Sequence, residues 1–114
     1  MFQFKTGSPA FRIIVDESRF DASNAKSFRE QFDAHCPDLI QSVDIDFTRV
    51  ELIDSSGIAA LLNIRHRIHL PTPVSLRSSC PSVLGILQTM RLHRVFTLNP
   101  TPPTALSELT PTEY

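Results

Sequence analysis

The side chains best placed to do chemistry sit in one stretch, Asp54-Ser55-Ser56-Gly57. An alternating run, Ser42-Val-Asp-Ile-Asp-Phe47, precedes it, and Ile58-Ala-Ala-Leu-Leu62 follows. This order puts two hydroxyls in the first turn of a helix. Four backbone N–H groups there lack intrahelical partners, and about half a positive charge gathers around them. A phosphate on Ser55 would be favoured by such a terminus. Asp, Ser and Gly are also ordinary helix-start residues, so the residues alone allow a plain structural cap or a modification site.

Other chemistries find less support. Ser55 lies in no G-x-S-x-G elbow. His66, on the helix that Ser55 opens, falls about 16 Å along the axis, too far for a nucleophile–base hydrogen bond. Only His35 or His93 could approach from elsewhere. His66 and His69 share a helix face, but a Cys or carboxylate ligand would have to come from another element. Arg65 and Arg67 interleave them and predict a solvated basic surface, so no metal site is expected. Arg65, Arg67, Arg91 and Arg94 together read as a solvated patch, or as a contact for an acidic partner. With only Gly7, Gly57 and Gly85, no phosphate-cradling loop can be written, and no cofactor is expected. Cys36 and Cys80 form no CxxC or Cys/His cluster and read as free, partly buried thiols in a reducing compartment.

These residues must be held by a small frame. A chain of 114 residues, 41% hydrophobic, suits one domain over 1–114 with one modest core. Eleven basic and twelve acidic residues give a net charge of −1, without the basic stripe of a nucleic-acid binder. No run approaches the ~18 apolar residues of a membrane span. The start, Met1-Phe-Gln-Phe-Lys-Thr, lacks the pattern of a signal peptide. The expectation is a cytoplasmic protein without direct membrane insertion.

Segments of period two alternate with segments of period 3.6. Phe2 and Phe4 mark an edge strand, Gly7-Ser8-Pro9 a turn, and Ala10 to Glu17 a second strand in a hairpin with the first. Ala25, Phe28 and Phe32 predict a helix over about Ala22 to Cys36, capped by Asp21 or Ser23 and ended by Pro37. Ser42 to Phe47 reads as a strand. A helix from Ser55 to about His69 follows, with Leu61 and Leu62 taken as core. Pro71 and Pro73 then lead to a strand over Val74 to Leu76. A third helix runs from Pro81 to about Arg91, with Val83, Leu84, Leu87 and Met90 inward. Val95 to Leu98 reads as a final strand, and Thr101-Pro-Pro opens a short last helix carrying Leu106 and Leu109. The order β-β-α-β-α-β-α-β-α predicts an α/β domain. Its mixed sheet has four to five strands, with about four helices mainly on one face.

Leu52-Ile-Asp-Ser-Ser-Gly-Ile-Ala-Ala-Leu-Leu62 resembles a segment of the STAS family, named for sulfate transporters and anti-sigma factor antagonists. In that family a hydrophobic strand and a loop lead into Asp-Ser-Ser-Gly or Asp-Ser-Thr-Gly, which opens a helix of small and aliphatic residues. Arg19-Phe-Asp-Ala-Ser-Asn-Ala25 is similar to the family's loop into its first helix, with Ser18 standing where many relatives carry glycine. Leu87 to Phe96 resembles its third helix and last strand.

The resemblance implies a non-enzymatic anti-sigma factor antagonist, phosphorylated on the residue after the aspartate. That residue is Ser55, with Ser56 the alternate hydroxyl. It implies a partner-binding surface drawn from Asp21, Ser23, Asp54, Ser55, Ser56 and Gly57. The implied partners are an anti-sigma factor serine kinase of the histidine-kinase-like ATPase fold, bound when Ser55 is unmodified, and a PP2C-type phosphatase that resets the switch. The alternatives are a STAS subunit of a larger complex such as a transporter, or the same switch acting on a non-sigma regulator. Oligomeric state is left open.

Overall fold

The computed structural model describes residues 2–6, 10–37, 40–68 and 72–100. Strands β1 (Phe2–Thr6), β2 (Ala10–Val15), β4 (Ser42–Asp46), β6 (Val74–Ser78) and β7 (Thr97–Pro100) form one mixed sheet in the order β1-β2-β4-β6-β7. β1 pairs antiparallel with β2, as the predicted hairpin requires, and the other pairings are parallel. The parallel strands are joined through α1 (Ala25–His35), α2 (Ser55–Arg67) and α3 (Pro81–Thr89). This is the expected mixed α/β sheet with its helices on one face.

Alternation in the strands decides which face the helices cover. Phe11, Ile13 and Val15 of β2, Val43 and Ile45 of β4, and Val74 and Leu76 of β6 are buried on one side. Against them pack Phe28 and Phe32 of α1, Ile58, Leu61 and Ile64 of α2, and Val83 and Leu87 of α3. The opposite face is polar. There Arg77 Nη2 meets Asp44 Oδ2 at 2.6 Å, and Arg12 lies 3.7 and 3.8 Å from Asp44 and Asp46.

Two strands were not foreseen. β3 (Arg19–Phe20) and β5 (Leu52–Ile53) are two residues each and pair parallel in a separate ribbon. Periodicity cannot register an element of two residues.

Other boundaries shift for local reasons. α1 begins at Ala25 rather than Ala22. Its N-cap is Asn24, with no side-chain cap bond, because Asp21 and Ser23 are engaged in the turn before it. α3 stops at Thr89, since Arg91 takes the left-handed region at φ 61°. Leu62 and Met90 are 43% and 53% exposed, not core: their helices bury a narrower stripe than the apolar residues suggested. Arg65 is not part of a solvated surface. It is buried, and its guanidinium donates to the Ile68, Thr72 and Val95 carbonyls at 3.1, 2.9 and 3.5 Å. Arg67 remains exposed and pairs with Asp33 across α1 and α2 at 2.9 Å. Cys36 and Cys80 are free thiols of intermediate exposure. The Gly7-Ser8-Pro9 turn, His69 and the last helix with Leu106 and Leu109 lie outside the described residues.

Candidate functional site

β2 and β4 are parallel neighbours, so the chain leaves both at the same end of the sheet. The two departing segments then meet. The Ser18 carbonyl accepts the Glu51 and Leu52 N–H groups at 2.8 and 3.2 Å, and β3 pairs with β5 directly after. Ser18 does this without a positive φ, so the backbone there makes no demand for glycine. The Asp46 carboxylate turns the second segment by accepting the Thr48 N–H and hydroxyl at 2.9 and 2.7 Å. This short ribbon delivers the Asp21 loop and the Asp54 loop side by side. Both lie at the carboxyl ends of parallel strands, where open α/β sheets place their sites.

Asp54 is the N-cap of α2. Its backbone is extended, its Oδ1 accepts the Gly57 N–H at 3.0 Å, and its carbonyl accepts the Ile58 N–H at 3.0 Å. Ser55 follows as the first helical residue, and its side chain is exposed. No partner for its hydroxyl appears among the described residues. Ser56 is half-buried. Gly57 is buried for a steric reason: a Cβ there would run into the Phe20 carbonyl oxygen and come within 2.9 Å of Ile53 Cγ1 and Phe20 Cδ2. The Asp54 N–H also reaches the Phe20 carbonyl, at 3.4 Å. Phe20 is fixed from behind by edge-to-face contacts with Phe28 and Phe47, at 5.0 and 5.2 Å between ring centres.

The neighbouring loop is organised around Asp21. This buried carboxylate accepts the Ser23 hydroxyl, the Ser23 N–H at 3.0 Å and Arg19 Nε at 3.2 Å. The Ser23 hydroxyl and N–H, aided by the Arg19 guanidinium, hold it below the ordinary carboxylate range, against the opposing effect of desolvation. Asn24 ties the loop shut. Its side-chain oxygen accepts the Asp21 N–H at 3.0 Å, and its amide donates to the Arg19 carbonyl at 2.8 Å. The roles of Arg19, Phe20 and Asn24 were not read from the sequence. The available signal was Asp21 and Asn24 spaced three apart ahead of a helix, the pattern of side chains that bond their own backbone turn.

The six residues expected at the surface thus have different surroundings. Asp21 and Gly57 are buried and shape the two loops. Asp54 and Ser56 are half-buried, Asp54 capping the helix, while Ser23 and Ser55 are exposed. Among the described residues no group of three His, Cys, Asp or Glu side chains could hold a metal ion, and no helix is long and apolar enough to cross a membrane.

Known proteins share this architecture. An anti-sigma factor antagonist from Mycobacterium paratuberculosis superposes with a TM-score of 0.78 at 19% identity, over 95% of this chain and 92% of that one. The anti-sigma factor antagonist SpoIIAA in its unphosphorylated form gives 0.72 at 16% identity, over the whole of both chains. The Bacillus cell fate determinant SpoIIAA in its phosphorylated form gives 0.61 at 17%, over 96% of this chain and 99% of that one. No curated protein matches in sequence. The family model of the STAS domain matches residues 5–105, which takes in every element from β2 to β7 and both site loops, and the chain belongs to the STAS domain family.

Proposed function

We propose that this protein is an anti-sigma factor antagonist, a binding module whose partner is exchanged by phosphorylation of Ser55. The observation that carries the reading is the placement of Ser55. It is an exposed hydroxyl on the first turn of α2, held between a capping carboxylate and a glycine wedged against the Phe20 backbone. A kinase can reach it, and hydrogen bonds and close packing hold the backbone around it. The solved relatives that share the fold include SpoIIAA in unphosphorylated and phosphorylated forms.

A phosphate would add about −1.5 to −2 charges beside Asp54. The helix terminus tolerates that charge while the site faces water. Under a partner, the same charge must be desolvated next to a carboxylate, and binding is lost. The unmodified form therefore binds an anti-sigma factor serine kinase and frees a sigma factor. The kinase phosphorylates Ser55 and releases the antagonist, and a PP2C-type phosphatase restores it. Such a protein works in the cytoplasm and has no catalysis of its own.

The test is calorimetric titration of the protein, Ser55→Ala and Ser55→Asp against the histidine-kinase-like serine kinases of its source genome. At least one kinase should bind the unmodified protein, and Ser55→Asp should weaken that binding tenfold or more, which is ~1.4 kcal/mol. Equal affinity of Ser55→Asp and the unmodified protein would overturn the proposal.

A further inference from the structure

Beside the two loops, α1 and α2 leave a groove of about 230 Å³ between them. Its floor and walls are small residues, with Ala22 and Ala25 from one side and Ser56 and Ala59 from the other. Short side chains on both helices hold the space open. Farther along the pair, the Arg67–Asp33 bridge ties α2 to α1. A space of that volume can take one long side chain.

The rim has one sign of charge. Lys26 and Arg29, one turn apart on α1, both line the groove and are exposed. Neither has a carboxylate partner among the described residues; Arg12, Arg19, Arg49, Arg67 and Arg77 do, while Arg91 and Arg94, which do not line the groove, also lack one. Ser56 in the groove wall follows Ser55 in the first turn of α2, so the groove lies beside the proposed switch residue.

We infer that the groove between α1 and α2 is the docking slot for an acidic side chain of the protein partner, with Lys26 and Arg29 as its specificity-determining residues. This rests on the reading of Ser55 as lying within a partner interface, and it adds the chemistry that the partner must present. The alanines provide the depth, and the two cations select an Asp or Glu over a neutral or basic side chain. It also gives the switch a second lever. A phosphate beside the groove would draw on the same cations that hold the partner's carboxylate.

The experiment is site-specific photocrosslinking of the full chain in its own cells. One photoreactive residue replaces exposed Asn63, one turn beyond Ala59 on α2. A second replaces exposed Leu52, next to the Asp54 loop but on β5. Crosslinked peptides are sequenced, with and without Arg29→Glu, and each variant is first checked for an unchanged melting temperature. The inference predicts that position 63 captures a partner segment containing Asp or Glu, and that Arg29→Glu cuts the yield about tenfold or more. Capture from position 52 but not from 63 would overturn the slot and leave the switch reading intact. Capture at 63 of a segment without an acid, or a yield indifferent to Arg29→Glu, would also overturn it. Capture from neither position would overturn both the slot and the partner interface at Ser55.

Discussion

Gly57 is the residue on which the geometry of the candidate site turns. Its missing side chain lets the Phe20 carbonyl pass against the first turn of α2, and Phe20 cannot retreat because Phe28 and Phe47 back it. Gly57→Ala should therefore destabilise the protein by about 1–3 kcal/mol, the usual cost of overpacking, although alanine is the better helix former. Urea denaturation read by circular dichroism would check this, and an unchanged or raised midpoint would contradict the contact. Asp21 gives a pH prediction. Its carboxyl is depressed in the folded protein, so its contribution is present above its unfolded pKa of about 3.9 and is lost as pH falls through the lower folded value. Asp21→Asn should melt at a lower temperature than the parent at pH 7, and the gap should narrow as pH falls below about 3.9. A gap independent of pH would show that the carboxylate charge has no part in it.

At the scale of elements, the β3–β5 ribbon and the cap of α2 position the site, and Arg65 secures the far end of the same helix. Its guanidinium gathers three carbonyls, two from the segment that leaves α2 and one from Val95 ahead of β7. Burial lowers the pKa of this cation from its ordinary value. Arg65→Ala should cost about 1.5–3 kcal/mol, since it strands carbonyls that a charged donor now satisfies. Arg67→Ala, two residues on and on the exposed side of the helix, should cost under about 1 kcal/mol. Comparing their melting temperatures tests the distinction, and equal losses would contradict it. Sequence reasoning put both arginines in solvent, because a charged residue is rarely buried. What buries Arg65 is the convergence of carbonyls from residues 68, 72 and 95, and such convergence leaves no local pattern. The long periodic segments were legible for the opposite reason, since their alternation and helical spacing record the one-sided burial of the sheet. β3 and β5 are too short to carry such a record. Leu62 and Met90 show that an apolar residue near the stripe need not lie in it.

At the scale of the whole molecule, the sheet divides the labour. One face holds the core, the other carries the Arg12–Asp44–Arg77 ion pairs, and the carboxyl end of the strands presents the loops. Asp54-Ser55-Ser56-Gly57 was legible because helix starts have strong local chemistry, and the family resemblance singled out Ser55 among its hydroxyls. The pairing of that loop with the Asp21 loop was not legible, since it depends on β2 and β4 being parallel neighbours. The proposed partner exchange depends on modification of Ser55 in the working protein. Its most direct test is intact-mass and peptide-mapping mass spectrometry on protein isolated from its own cells with phosphatases inhibited. A fraction of molecules should carry one phosphate, mapped to Ser55 and absent from Ser55→Ala. A Ser55 hydroxyl left bare under every growth condition would contradict it and reduce Ser55 to part of a helix start.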